Sequence, residues 1–179
     1  MKTISIIIPI YYGEQYLDNL LQQIEDCMNY LNKTEYSFEV LFVNDAPDAP
    51  ITQTFSKTSL NVIVMNTNNN VGIHGARVKG LKRSTGEFIL FLDQDDHIKP
   101  EYFSSQLLFI GENDAVVCQA IHANENFYLD YGTFKKMICK DFILGKWNSI
   151  VSPGQVLIRK KSIPTIWTEN ILKYNGADD

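Results

Sequence analysis

Four short runs rich in β-branched residues set the frame of this chain. They are "ISIIIPI" (Ile4–Ile10), "FEVLFV" (Phe38–Val43), "LNVIVM" (Leu60–Met65) and "EFILFL" (Glu87–Leu92). Each is nearly continuous in apolar residues, the pattern of a strand covered on both faces. Between the first two, Tyr16, Leu17, Leu20, Leu21, Ile24, Cys27, Met28 and Leu31 recur at helical spacing. A second helix is expected from about Ala76 to Arg83, and a third over "KPEYFSSQLLFI", with Pro100 near its start. "AVVCQAIHA", "NFYLDY" and "GQVLIRK" read as further strands, and Pro164 to Tyr174 as a helix, while Thr133 to Ile143 fits either state. Strands alternating with helices give an α/β fold with a largely parallel sheet.

The 179 residues suit one domain with a real core. A net charge of -5 argues against a nucleic-acid binder with a broad basic face. No apolar run reaches the roughly 18–20 residues of a spanning helix. The first apolar run is followed by Pro9, Tyr11, Tyr12 and Glu14 instead of a small-residue cleavage site, so it reads as a buried strand and not as a signal peptide. Cys27, Cys118 and Cys139 are odd in number and widely spaced, as in reduced thiols of a cytoplasmic protein.

The polar features follow strand ends: Tyr11 and Tyr12, then Asn44 and Asp45, then Asp93 to Asp96 in "FLDQDDH". Open α/β sheets bind ligands outside the carboxyl ends of their strands, so three strands deliver polar groups to one crevice. Asp93, Asp95 and Asp96 are like charges that repel when crowded, and a shared hard cation such as Mg²⁺ or Mn²⁺ would relieve them. The alternative is an acidic turn before the next helix. In "NNNVGIHGAR" (Asn68–Arg77), glycines permit close approach of a ligand and Arg77 could pair with a phosphate, though the loop is neither a P-loop nor G-x-G-x-x-G. Asp45 could accept hydrogen bonds from a base or ribose, or simply organise a turn. Tyr11 could stack on a base or cap the core. His74, His97 and His122 lack ligand-like spacing. His122 reads as structural, and His97 borders the acidic cluster. The closing "NGADD" offers Asp178 and Asp179 either as a frayed acidic tail or as a general base.

"PIYYGEQYL", "VNDAPD", "NNVGIHGARVKGLKRSTGEFILFLDQDD" and "GADD", in that order, resemble a family 2 glycosyltransferase of the GT-A fold. The resemblance runs from about Ile4 to Asp179 and is most specific between Asn70 and Asp96. It implies a three-layer α/β/α sandwich and an inverting transfer from a nucleotide-sugar, a UDP-sugar in the commonest case. It implies that Pro9 and Tyr11 line the nucleotide pocket and that Asp45 binds the base, with Arg77 supporting the site. Asp93, Gln94 and Asp95 would meet the nucleotide. Asp95, Asp96 and Asp93 would hold a Mn²⁺ or Mg²⁺ ion, and Asp179, or failing it Asp178, would act as base. The acceptor would be a glycan or lipid-linked precursor in polysaccharide synthesis, reached from the cytoplasm, with peripheral membrane contact through Arg159, Lys160 and Lys161 as a minority reading.

Two departures stand out: Tyr12 replaces the family's usual Asn, and "NDAPD" compresses the usual D-D-G-S-x-D, with Asn44 in place of the first Asp. The sequence also reads as a single catalytic domain, 1–179, cut short at its C-terminus. A nucleotide-sugar-binding domain without turnover is one alternative. A sugar nucleotidyltransferase is another, disfavoured because "YYGEQYLDN" lacks the Gly-rich basic segment of that class.

Overall fold

The computed structural model describes residues 1–31, 35–122, 125–126, 130–137, 139 and 150–169. In chain order the elements are β1 (Lys2–Ile10), α1 (Leu17–Tyr30), β2 (Tyr36–Asn44), β3 (Asn61–Asn66), α2 (Gly72–Arg83), β4 (Phe88–Phe91), α3 (Tyr102–Ile110), β5 (Ala115–Val117), β6 (Ile121–His122), β7 (Glu125–Asn126), α4 (Tyr131–Met137), β8 (Val156–Arg159) and α5 (Thr165–Glu169). The six-stranded sheet has the order β3-β2-β1-β4-β8-β5. β3, β2, β1 and β4 run parallel, while β8 lies antiparallel to both β4 and β5.

The expected alternation is therefore present, and so is its physical cause. Every residue of β1 from Ile4 to Ile10 is buried, as a central strand covered on both faces must be. On one face Leu17, Leu20, Ile24 and Cys27 of α1 meet Phe103 of α3 over Ile4, Ile6, Val40 and Phe42. On the other, Ala76 and Leu81 of α2 pack with Ile7, Leu41, Val43 and Ile89, and Trp167 of α5 leans on the same cluster. Contact on this second face is close: a Cβ on Gly80 would press against Ile7 Cγ2.

Two elements differ from expectation, and a third is described only in part. α2 starts at Gly72 and not near Ala76, because a side chain from another strand end caps it, as described below. At the start of the "NFYLDY" region Asn126 pairs as a strand with Glu125 against Ile121–His122, and positions 127–129 lie outside the described residues. Tyr131 instead opens α4, whose start Asp130 caps by accepting from the Thr133 backbone N–H at 2.8 Å and its hydroxyl at 2.9 Å. The closing helix is described from Thr165 to Glu169, and its expected continuation to Tyr174 lies outside the described residues.

At the opposite end of the sheet from the polar strand ends, buried Glu39 ties three segments together. It accepts from the Ser5 hydroxyl (2.8 Å), the Thr85 N–H (2.9 Å) and the Thr85 hydroxyl (2.8 Å). Two of the three residues of the basic cluster near this end, Arg159 and Lys160, are also committed to the fold. Arg159 pairs with Glu87 and donates to the carbonyls of Asn113 and Gly111, and Lys160 donates to the Ser84 carbonyl. Among the described residues no helix is long and apolar enough to cross a membrane.

Candidate functional site

Parallel pairing brings three strand ends to one edge. Ile10 aligns with Asn44, and Asn44 with Asn66, while β4 leaves the ladder earlier, at Phe91 opposite Ile7. Pro9 explains the early exit. In a parallel strand, residues two apart present their backbone groups to the same neighbour, and Ile7 accepts from Leu92 N–H on the β4 side at 3.0 Å. Pro9 has no N–H to continue that ladder, so the segment from Asp93 to Asp96 is released. Pro9 is itself buried and aligned with Val43, and acts on the crevice through its backbone.

Asn44 and Asn66 hold the compressed turn after β2. The Asn44 amide donates to the Ala49 carbonyl (2.8 Å) and to Asn66 Oδ1 (2.9 Å), and its oxygen accepts from the Ala46 N–H (3.2 Å). Asn66 in turn makes a two-way pair with the Ile51 backbone. An aspartate at position 44 could not donate, which is the local reason for the amide. Asp45, only 4% exposed, faces the start of α2. Its oxygens accept from the Thr67 hydroxyl (3.1 Å), the Val71 N–H (2.9 and 3.1 Å) and the Gly72 N–H (2.8 Å). Val71 supplies no side-chain cap of its own, so Asp45 caps the helix, with its charge at the favourable end of the helix dipole. Gly72 adopts φ 77, a conformation natural to glycine, to bring its N–H onto that carboxylate.

Gln94 joins the β4 loop to the β1 loop. Its side-chain oxygen accepts from the Tyr11 N–H at 2.9 Å, and its amide donates to the Tyr11 carbonyl at 3.3 Å. Tyr11 and Tyr12 are both about half exposed and meet edge to face, with ring centroids 4.6 Å apart. The Tyr12 hydroxyl donates to both oxygens of Asp48, each at 2.8 Å, and this bond holds its pKa above the ordinary phenol value.

The three crowded carboxylates do not share one point. Asp93 pairs with the buried guanidinium of Arg77 at 2.7 Å. Asp96 accepts from the Ser152 hydroxyl at 2.5 Å. Burial raises the Asp96 pKa, the Ser152 bond opposes that rise, and the neighbouring charges of Asp93 and Asp95 add to it. Asp95 is exposed. Among the described residues no three His, Cys, Asp or Glu side chains stand close enough to hold a metal ion together. Asp95 and Asp96 nevertheless border one cleft, and Mg²⁺ or Mn²⁺ commonly needs only one or two carboxylates beside substrate phosphates. The donor set fits such an ion through Asp95 and Asp96, while one oxygen of Asp93 pairs with Arg77.

That cleft, of about 1330 Å³, opens between Asp95 and Asp96, Tyr102 of α3, Gln119 and the turn around Ser152. It adjoins the tyrosine and Asp45 side of the crevice through the Asp93–Asp96 loop and does not include it. The sequence reading gave Ser152 no role and placed Gln155 only in a strand, yet both shape this wall. Gln155 accepts from the N–H groups of Val151 and Ser152 and donates to the Cys118 carbonyl. The legible signal was "SPGQ", a Ser-x-x-Gln capping box. His97 is exposed, whereas His74 is buried with its ring 4.6 Å from that of Trp167. The side chain of His122, and both Asp178 and Asp179, lie outside the described residues. Burial pushes the Cys27 thiol up to about 12 and the Cys118 thiol to about 11, the behaviour of inert packing groups.

The model of the family described as "Glycosyl transferase family 2" matches residues 5–167. The putative glycosyltransferase EpsH of Bacillus subtilis is 31% identical over 121 residues, which is 64% of this chain and 33% of EpsH. The poly(ribitol-phosphate) beta-N-acetylglucosaminyltransferase TarS of Staphylococcus aureus is 35% identical over 120 residues, 65% of this chain and 20% of TarS. The minor teichoic acid biosynthesis protein GgaB of Bacillus subtilis is 34% identical over 111 residues, 61% of this chain and 12% of GgaB. The chain thus spans about a third or less of each of these proteins. The crystal structure of S. aureus TarS shares the fold at a TM-score of 0.65 and 24% identity, covering 100% of this chain and 32% of that one. A TarS structure in complex with UDP-GlcNAc superposes at a TM-score of 0.59 and 24% identity, covering 89% of this chain and 46% of that one.

Proposed function

This chain belongs to glycosyl transferase family 2, and on that premise we propose that it transfers a sugar, with inversion, from a UDP-sugar to a hydroxyl acceptor in cell-envelope polysaccharide synthesis. The observation that carries this reading is the meeting of three parallel strand ends, with Gln94 binding the β4 loop to the tyrosines of the β1 loop and Arg77 binding α2 to Asp93. Such a junction can hold a nucleotide on one side and present its sugar to a cleft on the other. The TarS complex with UDP-GlcNAc supports a UDP-linked donor, and the names of TarS and GgaB support the acceptor class. The acceptor is a glycan or lipid-linked precursor, and the reaction belongs to the cytoplasmic side of the membrane. Because Arg159 and Lys160 are tied into the fold, that basic cluster is a weak candidate for a lipid contact.

Inversion needs a single in-line displacement at the anomeric carbon. Asp45 builds the floor of the nucleoside side by fixing α2, and Tyr11 offers an exposed ring for stacking. Asp95 and Asp96 are the carboxylates that would hold Mn²⁺ or Mg²⁺, which when bound offsets the charge growing on the departing diphosphate. Arg77 pairs with Asp93 and ties α2 to the loop after β4. The acceptor hydroxyl passes its proton to a carboxylate as the new bond forms, a role assigned to Asp179, with Asp178 as substitute. Release of UDP from UDP-GlcNAc and related UDP-sugars tests the reading. Release that requires Mn²⁺, stops with EDTA and is lost in Asp95→Ala is expected. Release indifferent to EDTA, or none from any UDP-sugar, would overturn it.

A further inference from the structure

The carboxyl end of β4 has a neighbour that the parallel strands do not supply. β8 runs antiparallel to β4, with Leu157 opposite Leu90. The segment that leads into β8 therefore arrives beside the segment that leaves β4. That leading segment is the turn "SPGQ", and it carries its own fastenings. Gln155, 4% exposed, accepts from the Val151 N–H (2.8 Å) and the Ser152 N–H (3.2 Å) and donates to the Cys118 carbonyl (3.0 Å). The Tyr102 hydroxyl donates to the Gly154 carbonyl at 2.6 Å, and Pro153 presets its own φ. The turn is thus tied to α3 on one side and to the chain just past β5 on the other.

Within this turn the Ser152 hydroxyl has two partners. Its oxygen accepts from the Gly154 N–H at 3.0 Å, which is all that a cap requires. Its proton is left over and goes to Asp96 Oδ2 at 2.5 Å, a length typical of a hydroxyl on an ionised carboxylate. Gly154 completes the seat. A Cβ at that position would lie 2.9 Å from the same Oδ2, so the carboxylate rests against bare backbone. The fold has another way to settle a crowded carboxylate, as the Arg77 guanidinium on Asp93 shows. Ser152 is instead a neutral donor. It fixes the direction of Asp96 and adds no positive charge beside it.

We propose that the Ser152–Gly154 turn is a positioning device for the divalent ion, seating the Asp96 carboxylate before the ion arrives. This rests on the reading of Asp95 and Asp96 as the carboxylates that hold Mn²⁺ or Mg²⁺. Hydrogen bonds behind a ligating carboxylate orient it, and their loss commonly costs 10–100-fold in metal affinity. A carboxylate without its seat must give up rotamer freedom when the ion binds. Ser152 and Gly154 act through Asp96 and are positioning residues, not ligands.

Calorimetric titration of the full chain with UDP, once with Mn²⁺ and once with EDTA, tests this in wild type, Ser152→Ala, Ser152→Thr and Gly154→Ala. The quantity read is the factor by which Mn²⁺ tightens UDP. Ser152→Ala should lower that factor by about tenfold, the lower end of the range for such supporting bonds, and leave UDP affinity in EDTA unchanged. Ser152→Thr keeps the hydroxyl and should restore the factor to about the wild-type value. Gly154→Ala keeps the hydroxyl and presses a methyl group on Asp96 Oδ2, so it should lower the factor too. A wild-type factor in Ser152→Ala or Gly154→Ala, or no recovery in Ser152→Thr, would overturn the assignment and leave the ion site standing. So would an equal loss of affinity with Mn²⁺ and with EDTA, the mark of a merely structural turn. Wild-type UDP binding indifferent to Mn²⁺ would overturn both this inference and the ion-site reading beneath it.

Discussion

At the scale of single residues, the site is built by giving like charges different partners. Asp93 goes to Arg77, Asp96 to Ser152, and Asp95 stays exposed. Removing Asp95 therefore breaks no internal bond and relieves repulsion on its neighbours. Asp95→Ala should abolish Mn²⁺-dependent UDP binding in calorimetry while leaving the melting temperature within a degree or so. Arg77 is the opposite case, because its side chain is 3% exposed and its loss strands Asp93. Arg77→Met should cost about 1.5–3 kcal/mol in denaturant unfolding, the range for hydrogen bonds to charged groups. The Tyr12–Asp48 bond gives a pH test. Because its folded pKa is raised above 10.0, what the bond contributes is fully present below the ordinary phenol value and is lost as pH rises through the folded one. Spectrophotometric titration of Asp48→Asn should show one tyrosine ionising at lower pH than in wild type. The types of these residues were legible in the sequence, since "DQDD", "AR" and "YY" are local patterns. Their partners were not, because Ser152 lies 56 positions from Asp96 and Asp48 lies 36 from Tyr12.

At the scale of elements, strand and helix positions followed from hydrophobic period, and the departures came from capping across the fold. The pattern placed β1, α1 and β2 to within about two residues, because a buried strand and a one-sided helix write their burial into consecutive side chains. The start of α2 was missed because its cap, Asp45, comes from another strand end and no period records it. The same bonds give Asp45 a structural share at the edge where the polar strand ends meet. Asp45→Ala should destabilise the protein by about 2 kcal/mol, at the upper end for a lost cap, read as a lower denaturant midpoint with an unchanged slope. On the opposite side of α2, Gly80→Ala forces a methyl group against Ile7, and overpacking of this kind costs about 1–3 kcal/mol.

At the scale of the whole molecule, one end of the sheet holds the fold and the other is left for chemistry. Glu39 closes the first end with bonds to Ser5 and Thr85, and the strand ends beyond Ile10, Asn44 and Phe91 open the second. Glu39→Ala should therefore cost about 2–4 kcal/mol, because it leaves several buried donors unpaired, and still leave UDP affinity unchanged. The α/β class and the gathering of polar strand ends were legible because parallel strands put all their carboxyl ends on one edge. The antiparallel β8 and the wall it brings beside Asp96 were not, because strand direction leaves no mark on composition. The account as a whole claims a nucleotide site completed by a divalent ion. Calorimetric titration of UDP, GDP and CMP, each with Mn²⁺ and again with EDTA, tests that claim most directly. The account predicts that UDP binds with Mn²⁺, that EDTA removes most of that affinity, and that GDP and CMP bind far more weakly. Binding of all three alike, or UDP binding unchanged by EDTA, would contradict it.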